Sequence, residues 1–108
     1  MALVEQIYEL SKQFPLDERF GLTSQIRRAA ISIPSNIGEG ARRKRHKAFI
    51  NHLGIALGSQ GEVEVLLEVA LRLRYCTQDA YSGVQERVER VGRMLNGLIA
   101  SLNQPMPE

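Results

Sequence analysis

Five cations within six positions are the side chains of this chain best suited to chemistry: Arg42, Arg43, Lys44, Arg45 and Lys47, with His46 among them. Such a block attracts phosphates, and the release of their counterions drives binding. Residues 22–47 hold seven Lys and Arg against Glu39 alone, a local charge of +6, while the whole chain carries +2. Positive charge is therefore gathered into one quarter of the molecule. At a helix start, positions 42–47 spread over almost two turns, so Arg42 can share a face with Arg45, and Arg43 with Lys47. Cations at a helix N-terminus oppose the macrodipole, which argues for a role beyond solubility. The competing reading is a solvated charged turn. Tyr8, Tyr75 and Tyr81 are scattered and offer no aromatic platform for bases.

A second group is polar rather than cationic. Arg28, Ser32, Asn36, Ser59, Glu62 and Glu64 are spaced to meet between two helices, with Arg28 pairing one of the acids. Buried polar groups need such partners. The role this suggests is structural, either helix register or a subunit contact. Catalysis has little to work with. His46 and His52 are six residues apart, the wrong spacing for two metal ligands on one helical face. No Glu-x-x-His pair of the di-iron type is present. Cys76 stands alone without a motif. Glu62 and Glu64, two apart, point to different sides of a helix. The reading is of a non-enzyme with no cofactor, metal or small-molecule substrate.

Four amphipathic segments must position these groups. Leu3, Ile7, Leu10 and Phe14 form one apolar stripe, and Pro15 ends that helix. Leu16 to Phe20 suits one further turn. A second helix is predicted from about Leu22 to Gly40, with Thr23 or Ser24 as cap and Gly40 as a left-handed terminus. Pro34 lies inside it and predicts a kink; the alternative is a break at Ser32, with Ser35 or Asn36 capping a new helix. The kink would aim the basic block from one end of the molecule. A third helix is predicted over about Arg43 to Arg74. Its Gly54, Gly58 and Gly61 share a face that suggests close packing inside the bundle, or a subunit contact. The fourth, about Gln78 to Leu102, places Val84, Val88, Val91, Leu95, Leu98 and Leu102 in a seam. These elements predict an all-α, antiparallel up-down-up-down four-helix bundle over 1–104, with a flexible tail at 105–108.

The stretch Phe14 to Arg43, "FPLDERFGLTSQIRRAAISIPSNIGEGARR", resembles the four-helix bundle proteins encoded in 23S ribosomal RNA intervening sequences. Phe49 to Tyr75 resembles that family's third helix, with Gly58-Ser59 followed by Glu62 and Glu64. The combination of Gly21 to Gln25 with Ser32 to Asn36 carries most of the likeness. Two departures are visible. Gly38 stands where the family usually has alanine, and Arg74 where a glycine often precedes the tyrosine. The resemblance implies a bundle that assembles into a ring, commonly a homopentamer, and brings no catalytic residues. A similar bundle is the accessory protein of diversity-generating retroelements, a basic pentamer that works with nucleic acid.

Composition sets the remaining bounds. The chain has 108 residues, one domain's worth, with 44% apolar residues and no Trp. A core built from Leu, Ile, Val and Ala alone buries limited surface, and oligomerisation is one remedy. The first ten residues contain Glu5 and Glu9, unlike a secretory signal. No apolar run approaches the ~18 residues of a membrane span. A lone Cys and no signal suit a cytoplasmic protein without membrane contact. Two functions follow: binding of structured RNA, or of nucleic acid generally, through residues 42–47, or a protein–protein scaffold with no nucleic-acid ligand.

Overall fold

The computed structural model describes residues 1–104; the tail expected at 105–108 lies outside them. Among the described residues the regular elements are α1 (Ala2–Ser11), a 3₁₀ turn (Leu16–Glu18), α2 (Leu22–Arg42), α3 (His46–Arg72) and α4 (Gln78–Leu102). All regular structure there is helical, in an elongated body of 55 × 23 × 18 Å. α2 packs on α1 and α3, and α4 packs on α1 and α3. Hydrogen bonds fix the directions: Ser32 meets Ser59 and Asn36 meets His52, so α2 and α3 run antiparallel. Gln60 meets Val88 and His46 meets Leu102, so α3 and α4 do too.

The apolar stripes become the core. Leu3, Ile7, Leu10 and Phe14 are buried, as are Leu22, Ile26, Ala29 and Ile33. Leu53, Ala56, Val63, Leu67 and Ala70 answer them from α3, and Val84, Val88, Val91 and Leu95 from α4. Small and branched side chains fill a narrow interior without Trp. Among the described residues, no helix is long and apolar enough to cross a membrane.

Several helix ends differ from those the sequence predicts. α1 stops at Ser11, because Gln13 and Phe14 donate back three residues rather than four and tighten the chain into a turn before Pro15. Phe14 stays in the core from outside the helix, with its ring 5.7 Å from that of Tyr75. Neither Thr23 nor Ser24 caps α2. Gly21 is its N-cap residue, and the Glu18 carboxylate accepts from Leu22 N–H at 3.2 Å. A Cβ on Gly21 would lie 2.6 Å from that carboxylate, so glycine admits the cap.

α2 runs unbroken through Pro34 to Arg42. Ser35 and Asn36 are therefore interior, and no new helix begins at Ser32. Gly40 is helical and buried rather than a terminus. Its missing Cβ admits α3: a methyl there would meet His52 Cβ at 2.7 Å and Phe49 at 3.0 Å. The left-handed residue comes four positions later, at Lys44 with φ 59°. α3 then begins at His46, not Arg43. Its other end closes at Arg74, φ 63°. Tyr75 N–H reaches Ala70 O, and Arg74 N–H reaches Leu71 O, the two bonds of a Schellman turn. Thr77 Oγ1 caps α4 by accepting from Ala80 N–H at 3.2 Å.

The glycine face of α3 is also corrected. Gly54, Gly58 and Gly61 have no atom within 4 Å of an added Cβ, so they do not pack inside the bundle. Close packing falls instead at Gly92 of α4, where a Cβ would meet the Gln60 amide at 2.7 Å.

Candidate nucleic-acid interface

The basic block occupies the α2–α3 turn at one end of the body. Arg42, Arg43, Lys44, Arg45 and Lys47 are all exposed. Arg42 closes α2, Arg43 caps it, Lys44 turns the chain, Arg45 leads into α3 and Lys47 lies in its first turn. Glu39 neutralises part of the cluster: Arg43 lies 3.1 Å from its carboxylate and Arg42 3.4 Å. Exposed pairs of this kind contribute about 0–1 kcal/mol, so a phosphate can displace them readily. Lys44, Arg45 and Lys47 make no ion pair among the described residues.

This placement reverses half of the macrodipole argument. Arg42 and Arg43 stand at the C-terminal end of α2, where positive charge is favoured. Lys47 does oppose the α3 dipole, but the C-terminus of α4 comes alongside. His46 Nε2 donates to Leu102 O at 2.6 Å, and Lys47 lines a groove with Leu102, Asn103 and Gln104. The C-termini of α2 and α4 therefore lie at the same end of the body as the N-terminus of α3.

Three members of the expected polar group meet. Ser59 Oγ donates to Ser32 Oγ at 2.8 Å, and Asn36 Nδ2 donates to Ser32 Oγ at 3.0 Å and to Ser32 O at 2.9 Å. His52, which sequence spacing weighed only as a metal ligand, completes the chain: Asn36 Oδ1 accepts from its Nδ1 at 3.2 Å. Arg28, Glu62 and Glu64 do not join this network and form no ion pair among the described residues. Arg28 and Glu62 are exposed, and water solvates them without requiring a partner.

Glu18 has a second tie that sequence reasoning missed. Tyr75 Oη donates to its Oε2 at 2.8 Å, joining the start of α2 to the α3–α4 turn. That hydroxyl, then the Leu22 N–H, holds the Glu18 carboxyl below the usual carboxylate range. The same bond pushes the Tyr75 phenol up. Burial pushes the Cys76 thiol up, away from a reactive thiolate. Among the described residues, no three His, Cys, Asp or Glu side chains cluster as metal ligands.

Four packed helices with one densely cationic end define the class: a small basic four-helix bundle. The chain belongs to the family described as 23S rRNA-intervening sequence protein, whose profile matches residues 1–97. A similar solved structure is a protein of unknown function from the S23 ribosomal protein family of Bacteroides thetaiotaomicron. It shares 30% identity and superposes with a TM-score of 0.83 over 91% of this chain and 92% of that one. No curated protein matches.

Proposed function

We propose that this protein is a non-enzymatic, self-associating bundle that binds structured RNA through Arg42, Arg43, Lys44, Arg45 and Lys47. One observation carries the reading: five exposed cations share one turn with Glu39 as their only acid partner among the described residues. The family's description, which names a 23S rRNA intervening sequence, supports RNA as the polyanion and the cytoplasm as the compartment. Self-association draws on the outer face of α3. There the uncovered Gly54, Gly58 and Gly61 lie beside Ile55, Val65 and Val69, which are exposed. A ring, with a pentamer as the leading stoichiometry, would repeat the cationic turn and raise its local potential.

The test is a fluorescence-anisotropy titration of a structured RNA at two salt concentrations. The native protein is compared with a variant carrying Arg42, Arg43, Lys44, Arg45 and Lys47 all as Gln. Loss of five phosphate contacts should lower the slope of log K against log salt by about 4. Native mass measured alongside should exceed that of one chain. No binding by either protein at low salt would turn the assignment toward a scaffold for protein partners.

A further inference from the structure

A second cationic surface lies at the other end of α2, and it contains the aromatic platform that the tyrosine spacing did not reveal. Tyr8, Arg19, Phe20, Thr23, Ser24, Arg27, Arg28 and Ile31 line a groove between α1 and α2. Among the described residues, no acid lines it. Phe20 is 84% exposed, an unusual state for a large aromatic ring. The Arg19 guanidinium sits 4.8 Å from its centroid. Arg27 is fixed in place. It donates from Nε to Ser11 Oγ at 2.7 Å and from Nη2 to Tyr8 O at 3.5 Å, and it stacks 4.7 Å from the centroid of Tyr8. Arg19 and Arg28 form no ion pair among the described residues.

We infer that this groove binds an unpaired nucleotide, with a base stacked on Phe20 and the adjoining phosphates held by Arg19 and Arg28. Stacking platforms beside guanidinium groups are the usual means of gripping single-stranded nucleic acid. A ring with a guanidinium at its face and most of its surface in solvent offers a base an open side. The hydroxyl of Ser24 adds a polar contact for sugar or phosphate, and Ile31 continues the apolar floor. A duplex offers no free base face, so this surface takes a single strand, whereas the 42–47 turn takes any phosphate backbone. The inference rests on the nucleic-acid reading above and adds a separate site to it. The two sites stand about 30 Å apart along α2.

The chain contains no Trp, so Phe20→Trp installs a single reporter at the groove. A short single-stranded oligouridylate titrated into Phe20→Trp should quench the indole emission, while a duplex of equal length should not. In anisotropy, Phe20→Ala should weaken the single strand about 5- to 150-fold, the worth of one stacked base. Arg19→Gln with Arg28→Gln should lower the salt slope by about 1.4. Glutamine at 42, 43, 44, 45 and 47 should leave the quenching in place. If structured RNA binds and depends on the 42–47 turn, but the oligouridylate leaves the indole unquenched, this inference alone fails. If neither RNA binds, both readings fail. If Phe20→Ala lowers the native mass and the Phe20→Trp indole emits as a buried group before RNA is added, the groove is a subunit contact and the inference is overturned.

Discussion

Lys44 and Arg74 adopt a backbone conformation that L side chains disfavour by about 1–2 kcal/mol. Both follow the end of a helix, where glycine is the common solution. Arg74 is the cleaner test, since it stands apart from the cationic turn. Arg74→Gly should raise stability by about 0.5–1 kcal/mol, the steric relief less the entropy glycine adds to the unfolded chain. The midpoint of urea unfolding checks this. The family resemblance marked Arg74 as standing in a frequent glycine position, and its φ of 63° supplies the reason for the glycine.

Glu18 and Tyr75 give stability a pH dependence at both ends of the scale. The Glu18 carboxyl titrates lower in the folded state than in the unfolded chain. Its stabilisation is present above the unfolded value and is lost as pH falls through the folded one. Tyr75 titrates higher when folded. Its share is present below the unfolded phenol value and is lost as pH rises through the folded one. Tyr75→Phe should remove the alkaline loss at this site and flatten part of the acid loss, measured as urea midpoints across both limbs. An unchanged acid limb would show that the Leu22 N–H alone carries the Glu18 effect.

The helices themselves respond to glycine replacement in opposite directions. Gly92→Ala drives a methyl into the Gln60 amide, whose Nε2 donates to Val88 O at 3.0 Å inside the body. Losing that buried bond should cost about 1–3 kcal/mol. Gly58→Ala meets nothing within the chain. It should gain about 0.8–1 kcal/mol of helix propensity in dilute, dissociated protein, and it should weaken assembly if α3 faces a neighbour. Urea unfolding at low concentration and native mass at high concentration separate the two effects.

These contrasts mark what periodicity can and cannot convey. The span of α4, Gln78–Leu102, matches the expected one, because a seam of Val and Leu runs from Val84 to Leu102 and Thr77 precedes the helix as a capping residue. The stripe of α1 correctly named the buried side. Helix ends were less legible. Gly40 looks like a terminus in sequence, and only the approach of His52 and Phe49 from α3 reveals that its missing side chain serves packing. Glu18 was invisible as a cap, since its second partner is Tyr75, far along the chain. The polar cluster was half legible: Ser32, Asn36 and Ser59 lie on facing stripes, while the weak demand of exposed Arg28 for a partner left nothing to fix its position. Phe20 was illegible for the opposite reason. It reads as an apolar residue at the end of a turn, and only the fold leaves it uncovered beside three arginines.

At the scale of the whole molecule, charge is distributed along a rod. The body is more than twice as long as it is wide, and α2 runs between the cationic turn and the Phe20 groove. The basic end was legible from the order of charge along the sequence, because five cations fall within positions 42–47. What it hid was a second cationic surface, with Arg27 and Arg28 joining Arg19 at one end of α2 and the 42–47 turn at the other.

If both ends bind nucleic acid as proposed, the length of α2 sets the stoichiometry. On the proposed reading, an oligonucleotide too short to reach across about 30 Å would occupy only one end at a time, and one chain would take up two such ligands independently. A longer strand with an unpaired segment at the right distance would engage both ends at once. One ligand per chain would then suffice, and tethering would raise the apparent affinity without any new contact. Calorimetric titration with strands of increasing length should show the molar ratio falling from two toward one, with a rise in affinity at the same length. A ratio that stays constant across the series would mean that the two ends never act on one strand.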